Sequence, residues 1–214
     1  MSIIYETTLS PSKYELLAAW LPSQPWFTGD VSRLEPVGAY RLDDPEGEVG
    51  FEGHLFTAGG DTIFHAPLSY RGAPLEEGEA FLVGTLEHGV LGKRWVSDAI
   101  GDPAFRAVVA TVMAQGSTGE MEHVVGSDGE SVAYETSVRV AGTGSPGLQV
   151  PELWAALVSH SESSSLARTE FCELEVLRII SPTSDRGEDE GGTFSLRGAW
   201  GGERVGVPLA ILRA

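Results

Sequence analysis

The stretch from residue 36 to 70 constrains the fold most. "VGAYRLDDPEGEVGFEGHLFTAGGDTIFHAPLSY" alternates apolar and polar residues with a period of two, and two turn clusters interrupt it. Asp44-Pro45-Glu46-Gly47 and Ala58-Gly59-Gly60-Asp61 are turn chemistry, so the segment reads as strand, turn, strand, turn, strand. If Gly59-Gly60 form a two-residue turn, paired positions sum to 119. Val49 then faces Tyr70, Phe51 faces Leu68 and Leu55 faces Phe64, which makes one apolar face. The other face sets Glu48 opposite Arg71, and His54 opposite His65 with Glu52 nearby. His54, His65 and Glu52 have the ligand types of a zinc or nickel site. Two neighbouring histidines on a solvated face are the plainer alternative.

The rest of the chain adds strands and a few helices. Residues 2–9 read as a strand. Ser10-Pro11 reads as a cap before a helix carrying Leu16, Leu17, Trp20 and Leu21 and stopped by Pro22, with a buried Trp26 beyond it. Residues 80–87 and 93–98 form a strand pair. Asp102-Pro103 opens the clearest helix, with Phe105, Val108, Val109, Val112 and Met113 on one face and Gly116 after it. Two strands flank "GSDGE". Pro151 opens a short helix with Leu153, Trp154, Leu157 and Val158 inward. "SHSESSS" is a loop, "EFCELEVLRII" a strand, "SPTSDRGEDEGG" an acidic loop, and "TFSLRGAWGGERVGVPLAIL" a closing hairpin. "AGGDTIFHAPL" and "WGGERVGVPL" echo each other as hairpins, and their prolines mark edges or bulges. The expectation is one α+β domain over residues 1–214: a curved antiparallel β-sheet with about three flanking helices.

Composition narrows function. The net charge of −17 argues against nucleic acid and anionic membranes as partners, since both select basic surfaces. A single cysteine, Cys172, has no partner for an internal disulfide and reads as a small buried hydrophobe in a cytoplasmic protein. "GTGSPG" at 142–147 has the spacing of a dinucleotide loop, but Pro146 and Pro151 keep a helix from starting there. "GVLGKR" lacks the phosphate-loop spacing, and no G-x-S-x-G or H-E-x-x-H occurs. No cofactor and no catalytic residue is implied.

The segment "EHGVLGKRWVSDAIGDP" at 87–103 concentrates polar residues. It reads as strand, glycine turn, strand and helix cap, with positive φ at Gly89 and Gly92, Trp95 in the core and Asp102 as the cap. Arg71, His88, Arg94 and Asp98 are the candidate ligand or partner contacts. His88 and Arg94 have the charge to bind an anion at the turn; a hydrogen-bonded structural cluster is the alternative.

At "PSKYELLAAWLPSQPWF", "GAYRLDDPEGEVGFE", "PLSYRGAPLEE" and "EHGVLGKRWVSDAIGDP" the chain resembles the N-terminal cap domain of actinobacterial maltokinase-like and glucosamine-kinase-like proteins. The resemblance covers residues 1–116 best. It implies a curved antiparallel sheet that in those kinases sits on the nucleotide-binding lobe, while catalysis belongs to a further domain. Tyr70, Arg71, Gly72, Glu87, His88, Gly89, Gly92, Arg94, Trp95, Asp98 and Asp102 match the cap pattern, and the resemblance gives them an architectural role. No kinase motif matches these 214 residues, so the expectation is a free-standing cap. Such a module would act through contact with a sugar kinase or another protein. The alternative is a stand-alone protein binding a sugar or metabolite in the concavity of the sheet.

Overall fold

A computed structural model describes residues 2–5, 9–119, 122–125, 131–134, 137–180, 192–202 and 204–214. In chain order the elements are β1 (Ser2–Tyr5), β2 (Leu9–Ser10), α1 (Lys13–Trp20), β3 (Leu34–Asp43), β4 (Gly50–Ala58), β5 (Ile63–Arg71), β6 (Leu82–His88), β7 (Gly92–Asp98) and α2 (Pro103–Gln115). They continue with β8 (Glu122–Val125), β9 (Ser131–Tyr134), β10 (Arg139–Gly142), β11 (Leu157–His160), β12 (Ser164–Arg168), β13 (Glu173–Leu177), β14 (Ile179–Ile180), β15 (Thr193–Trp200) and β16 (Arg204–Arg213). The central sheet has the order β2-β6-β7-β5-β4-β3, with β14 also against β5. A second sheet runs β10-β15-β16-β13-β12-β11, and a small third runs β1-β8-β9. Pairing is antiparallel except between β1 and β8. The curl of the sheet goes with register shifts at Pro36/Gly38 and Leu82/Gly84, where bulges bend the strands.

Both faces of the central sheet are covered. On one, α1 and the Trp26 loop pack Leu16, Leu17, Trp20, Leu21 and Trp26 against Phe56, Phe64, Leu68 and Val96. On the other, α2 and the second sheet pack Phe105, Val109, Met113, Leu174, Leu196 and Leu212 against Tyr40, Leu42, Phe51 and Leu55. The fold is α+β in composition, but two α-helices, not three, lie among the described residues. Residues 151–156 do not form the expected helix. Leu153 is buried, Trp154 and Leu157 point outward, and Leu157 begins an edge strand. Within "SHSESSS", Ser159 and His160 belong to β11 and Ser164 opens β12, so the run is a hairpin rather than a loop. The acidic stretch 181–191 lies outside the described residues.

The helix ends follow their caps. The α1 cap is Ser12, not Ser10: its hydroxyl accepts from the Glu15 amide at 3.2 Å, and the Glu15 carboxylate accepts from the Ser12 amide at 2.7 Å. α1 ends at Trp20, ahead of Pro22 as expected, and the chain continues into a 3₁₀ turn, Leu21–Ser23, that contains the proline. Asp102 caps α2 as expected, with Oδ1 accepting from Ala104, and Gly116 closes it at φ 66°.

The first hairpins form as read, but the β4–β5 register differs by one residue. Gly50 pairs with Tyr70, Phe51 with Ser69, His54 with Ala66 and Leu55 with His65. These pairs centre the connection on Gly60, and residues 59–62, with Gly59 at φ 89°, link the strands in place of the two-residue turn. The shift sends His54 and His65 to opposite faces. A metal site built from His54, His65 and Glu52 is therefore excluded. Arg71 does not meet Glu48; it pairs in the ladder with Trp95. Alternation misled the register because both faces are buried, so apolar residues populate each. The echoing hairpin prolines behave as expected. Pro208 lies at a register shift between β15 and β16, and Pro67 lies where β5 has no partner on one edge.

Candidate functional site

On the α1 face, three side chains from β3, β4 and α1 converge on Glu52. Lys13 Nζ lies 2.5 Å from Oε2, His54 Nε2 3.3 Å from Oε2 and Arg41 Nη1 3.5 Å from Oε1. His54 Nε2 is also 3.1 Å from the Tyr70 hydroxyl, and the Lys13 ammonium sits 5.4 Å from the Tyr70 ring centroid. Burial alone would raise the Glu52 carboxyl, but the Lys13 and His54 neighbours overcome it and hold it well below the usual carboxylate range. Burial pushes the Tyr14 hydroxyl up to about 12 and drives Tyr70 upward too, with the Glu52 charge adding to it. This ion-pair and hydrogen-bond cluster ties α1 to the sheet. Glu52 and His54 were visible in the sequence as ligand types; their partners Lys13, Arg41 and Tyr70 became visible only with the register.

On the opposite face His65 is enclosed. Its Nδ1 lies 2.8 Å from the Leu177 carbonyl, which can only accept, so Nδ1 carries the proton and Nε2 accepts from the Tyr40 hydroxyl at 3.0 Å. Tyr40 reaches it by lying over Gly53, where a Cβ would come 2.0 Å from the ring. Burial lowers the His65 pKa to about 3. The unfolded chain takes up that proton near 6.5. His65 thus contributes stability that is complete above about pH 6.5 and is lost as pH falls toward 3, with a slope of at most about 1.4 kcal/mol per pH unit. His88 and His160 are also shifted down, mainly by burial, and act in the same direction. Glu52 adds its loss only below about pH 4.3. Urea midpoints measured from pH 7 to 4.5 are expected to fall. His65→Gln is expected to be less stable at pH 7 and to show a flatter profile; an unchanged slope would refute the assignment.

Beside His65 the two large sheets are joined. β7 and β14 lie end to end along one edge of β5: Asp98 pairs with Leu68, and Ile179 with Phe64. The intervening β5 positions include Pro67, which has no N–H to offer a neighbour. Across this gap Arg178 Nη2 donates to both Asp98 oxygens at 2.7 and 2.6 Å, and Nε donates to Ser165 Oγ at 2.8 Å. The guanidinium stacks 5.0 Å from the Trp26 ring. Asp98 is 1% exposed and Arg178 0%, so Asp98 is an internal joint rather than a contact residue. Arg178 was missed because it interrupts the apolar run "EVLRII" that reads as one strand.

The segment at 87–103 is strand, turn and strand, as expected, and its polar groups hold that geometry. His88 Nδ1 lies 3.3 and 3.1 Å from the amides of Val90 and Leu91, and Arg94 Nη2 donates to the Leu91 carbonyl at 2.9 Å. Gly92 has φ 70°; Gly89 does not adopt a positive φ. Arg71 binds the Asp102 carboxylate through two hydrogen bonds of 2.7 Å. Trp95 is half-buried beneath the Lys93 ammonium, 5.0 Å from its ring, and is not the expected core anchor. It sits near the end of the ladder, away from α1, whereas Trp26 in the loop after α1 is fully buried.

"GTGSPG" caps α2 instead of cradling a phosphate. Gly144 and Ser145 donate their amides to the Met113 and Ala114 carbonyls at 2.9 and 3.0 Å. A Cβ at Gly144 would lie 1.9 Å from the Ala114 oxygen, so glycine permits this close approach. Cys172 is buried in the larger core. Among the described residues no group of three His, Cys, Asp or Glu side chains is placed to hold a metal ion.

Residues 20–102 match the maltokinase N-terminal cap domain family. The likeness read from the quoted phrases is thereby shown over that span. The match runs from the last residue of α1 through β3–β7 to the Asp102 cap of α2. No curated protein matches the chain.

Proposed function

We propose that the chain, maltokinase-cap-like over residues 20–102, works as a non-catalytic cytoplasmic module that contacts or regulates a sugar or aminosugar kinase. The observation that carries this reading is the family match, which falls on the region whose polar residues are engaged in holding the fold. Arg71 clamps the α2 cap, His88 and Arg94 fix a turn, and Asp98 is locked to Arg178. The alternative, a sugar held in the concavity of the central sheet, is less well supported, because helices and a second sheet pack both faces. Among the described residues no helix is long and apolar enough to cross a membrane.

The test is nucleotide binding by the purified chain. Titration calorimetry with ATP and Mg²⁺ at millimolar concentration is expected to give no binding heat. Saturable binding would overturn the non-catalytic reading.

A further inference from the structure

The outer edge of the second sheet is built differently from the rest of the surface. β11 is its terminal strand. Ser161 donates to the Ser164 carbonyl at 2.8 Å, so alternate pairs down the ladder, Ser159–Leu166 and Leu157–Arg168, direct their backbone bonds toward β12. The N–H and C=O groups of Val158 and His160 consequently face outward. Beside them is a concavity of about 620 Å³ whose lining includes Ala155, Leu157, Val158, Leu166, Arg168 and Phe171.

Its apolar side chains are presented, not hidden. Leu157 is 81% exposed, Phe171 82%, and Trp154, next in the chain to Ala155, 74%. Trp154 is held outward: buried Arg106 donates to the Leu153 carbonyl at 2.9 Å and to the Trp154 carbonyl at 2.8 Å, turning Leu153 in and Trp154 out. With its backbone already held by Arg106, Trp154 has less freedom to lose on binding than a residue in an unanchored loop. Exposed apolar residues rimmed by polar ones mark protein contact surfaces.

The rim selects the partner. Glu152, Glu162 and Glu170 are exposed around the edge, and the nearby cation Arg168 is paired with Glu173. A second copy would bring acidic rim against acidic rim in a chain of net charge −17. We propose that β11 and its concavity receive an extended segment of a different protein, alternating apolar side chains with Lys or Arg and adding as a strand to the sheet edge. The proposal names a surface for the module described above and rests on that reading; its test is independent of ATP binding, so the two fail separately.

The probe is a random library of displayed peptides selected on the immobilised full chain. Enriched peptides are expected to alternate apolar residues with Lys or Arg. They are expected to bind Leu157→Asp at least tenfold more weakly, and Val158→Pro likewise, since proline removes an outward N–H while edge strands tolerate it. Leu157→Asp changes an exposed side chain and keeps the fold available as a control. In bound complexes the Val158 and His160 amides are expected to gain protection from hydrogen exchange. Recovery of no peptides, enrichment without basic residues, binding unaffected by both variants, or a dimer disrupted by Leu157→Asp would each overturn the proposal.

Discussion

Arg178→Met is expected to lower folding stability by about 3–5 kcal/mol, the cost of leaving one member of a buried ion pair alone. Asp98 would be left at 1% exposure with both guanidinium hydrogen bonds gone. Ser165 would lose its donor, and the Trp26 ring its stacked cation. The double variant Asp98→Leu/Arg178→Met is expected to recover most of the loss, because a buried pair replaced by apolar groups of similar volume is often close to neutral. Denaturant unfolding of the two variants measures this directly. A loss below about 1 kcal/mol for the single variant would mean that the joint between β7 and β14 is wetter than its geometry states.

The second large effect is expected at Trp26. Trp26→Ala should cost about 3–5 kcal/mol, the range for a large aromatic removed from a core. Its ring packs edge-on against Trp20, with centroids 5.7 Å apart, and against Phe27 at 6.4 Å, so the cavity would open among several aromatic neighbours. Trp95→Ala is expected to cost only about 1–2 kcal/mol, because a half-buried side chain forfeits less apolar burial. Chemical denaturation of both variants is the check. Equal losses would place Trp95 in the core after all.

These residues also show what the sequence makes legible. The three strands over 34–71 and the helix at 103–115 were readable because period, turn residues and caps agree locally. The capping aspartate Asp102 and the turn at 88–92 were readable for the same reason. The register between β4 and β5 was not. It depended on whether the connection centres between Gly59 and Gly60 or on Gly60 itself, and apolar residues on both faces gave no preference. That single step separated His54 from His65 and set Tyr70 on the face that His54 and Glu52 share. The joint at Asp98 and Arg178 was illegible for another reason. Its members lie 80 positions apart, and an arginine within an apolar run carries no local sign of its partner. The segment after Pro151 has helical spacing, yet Leu153 alone of its expected inward residues is fully buried. There the contacts of Arg106 with the Leu153 and Trp154 carbonyls override the pattern.

The proposal that the module is non-catalytic is tested most directly by phosphoryl transfer. The purified chain is incubated with γ-labelled ATP, Mg²⁺ and maltose or glucosamine, and labelled sugar phosphate is measured against a reaction lacking protein. The account predicts no product above that background. Sugar phosphate that forms in proportion to the chain, and that persists through successive purification steps, would contradict it.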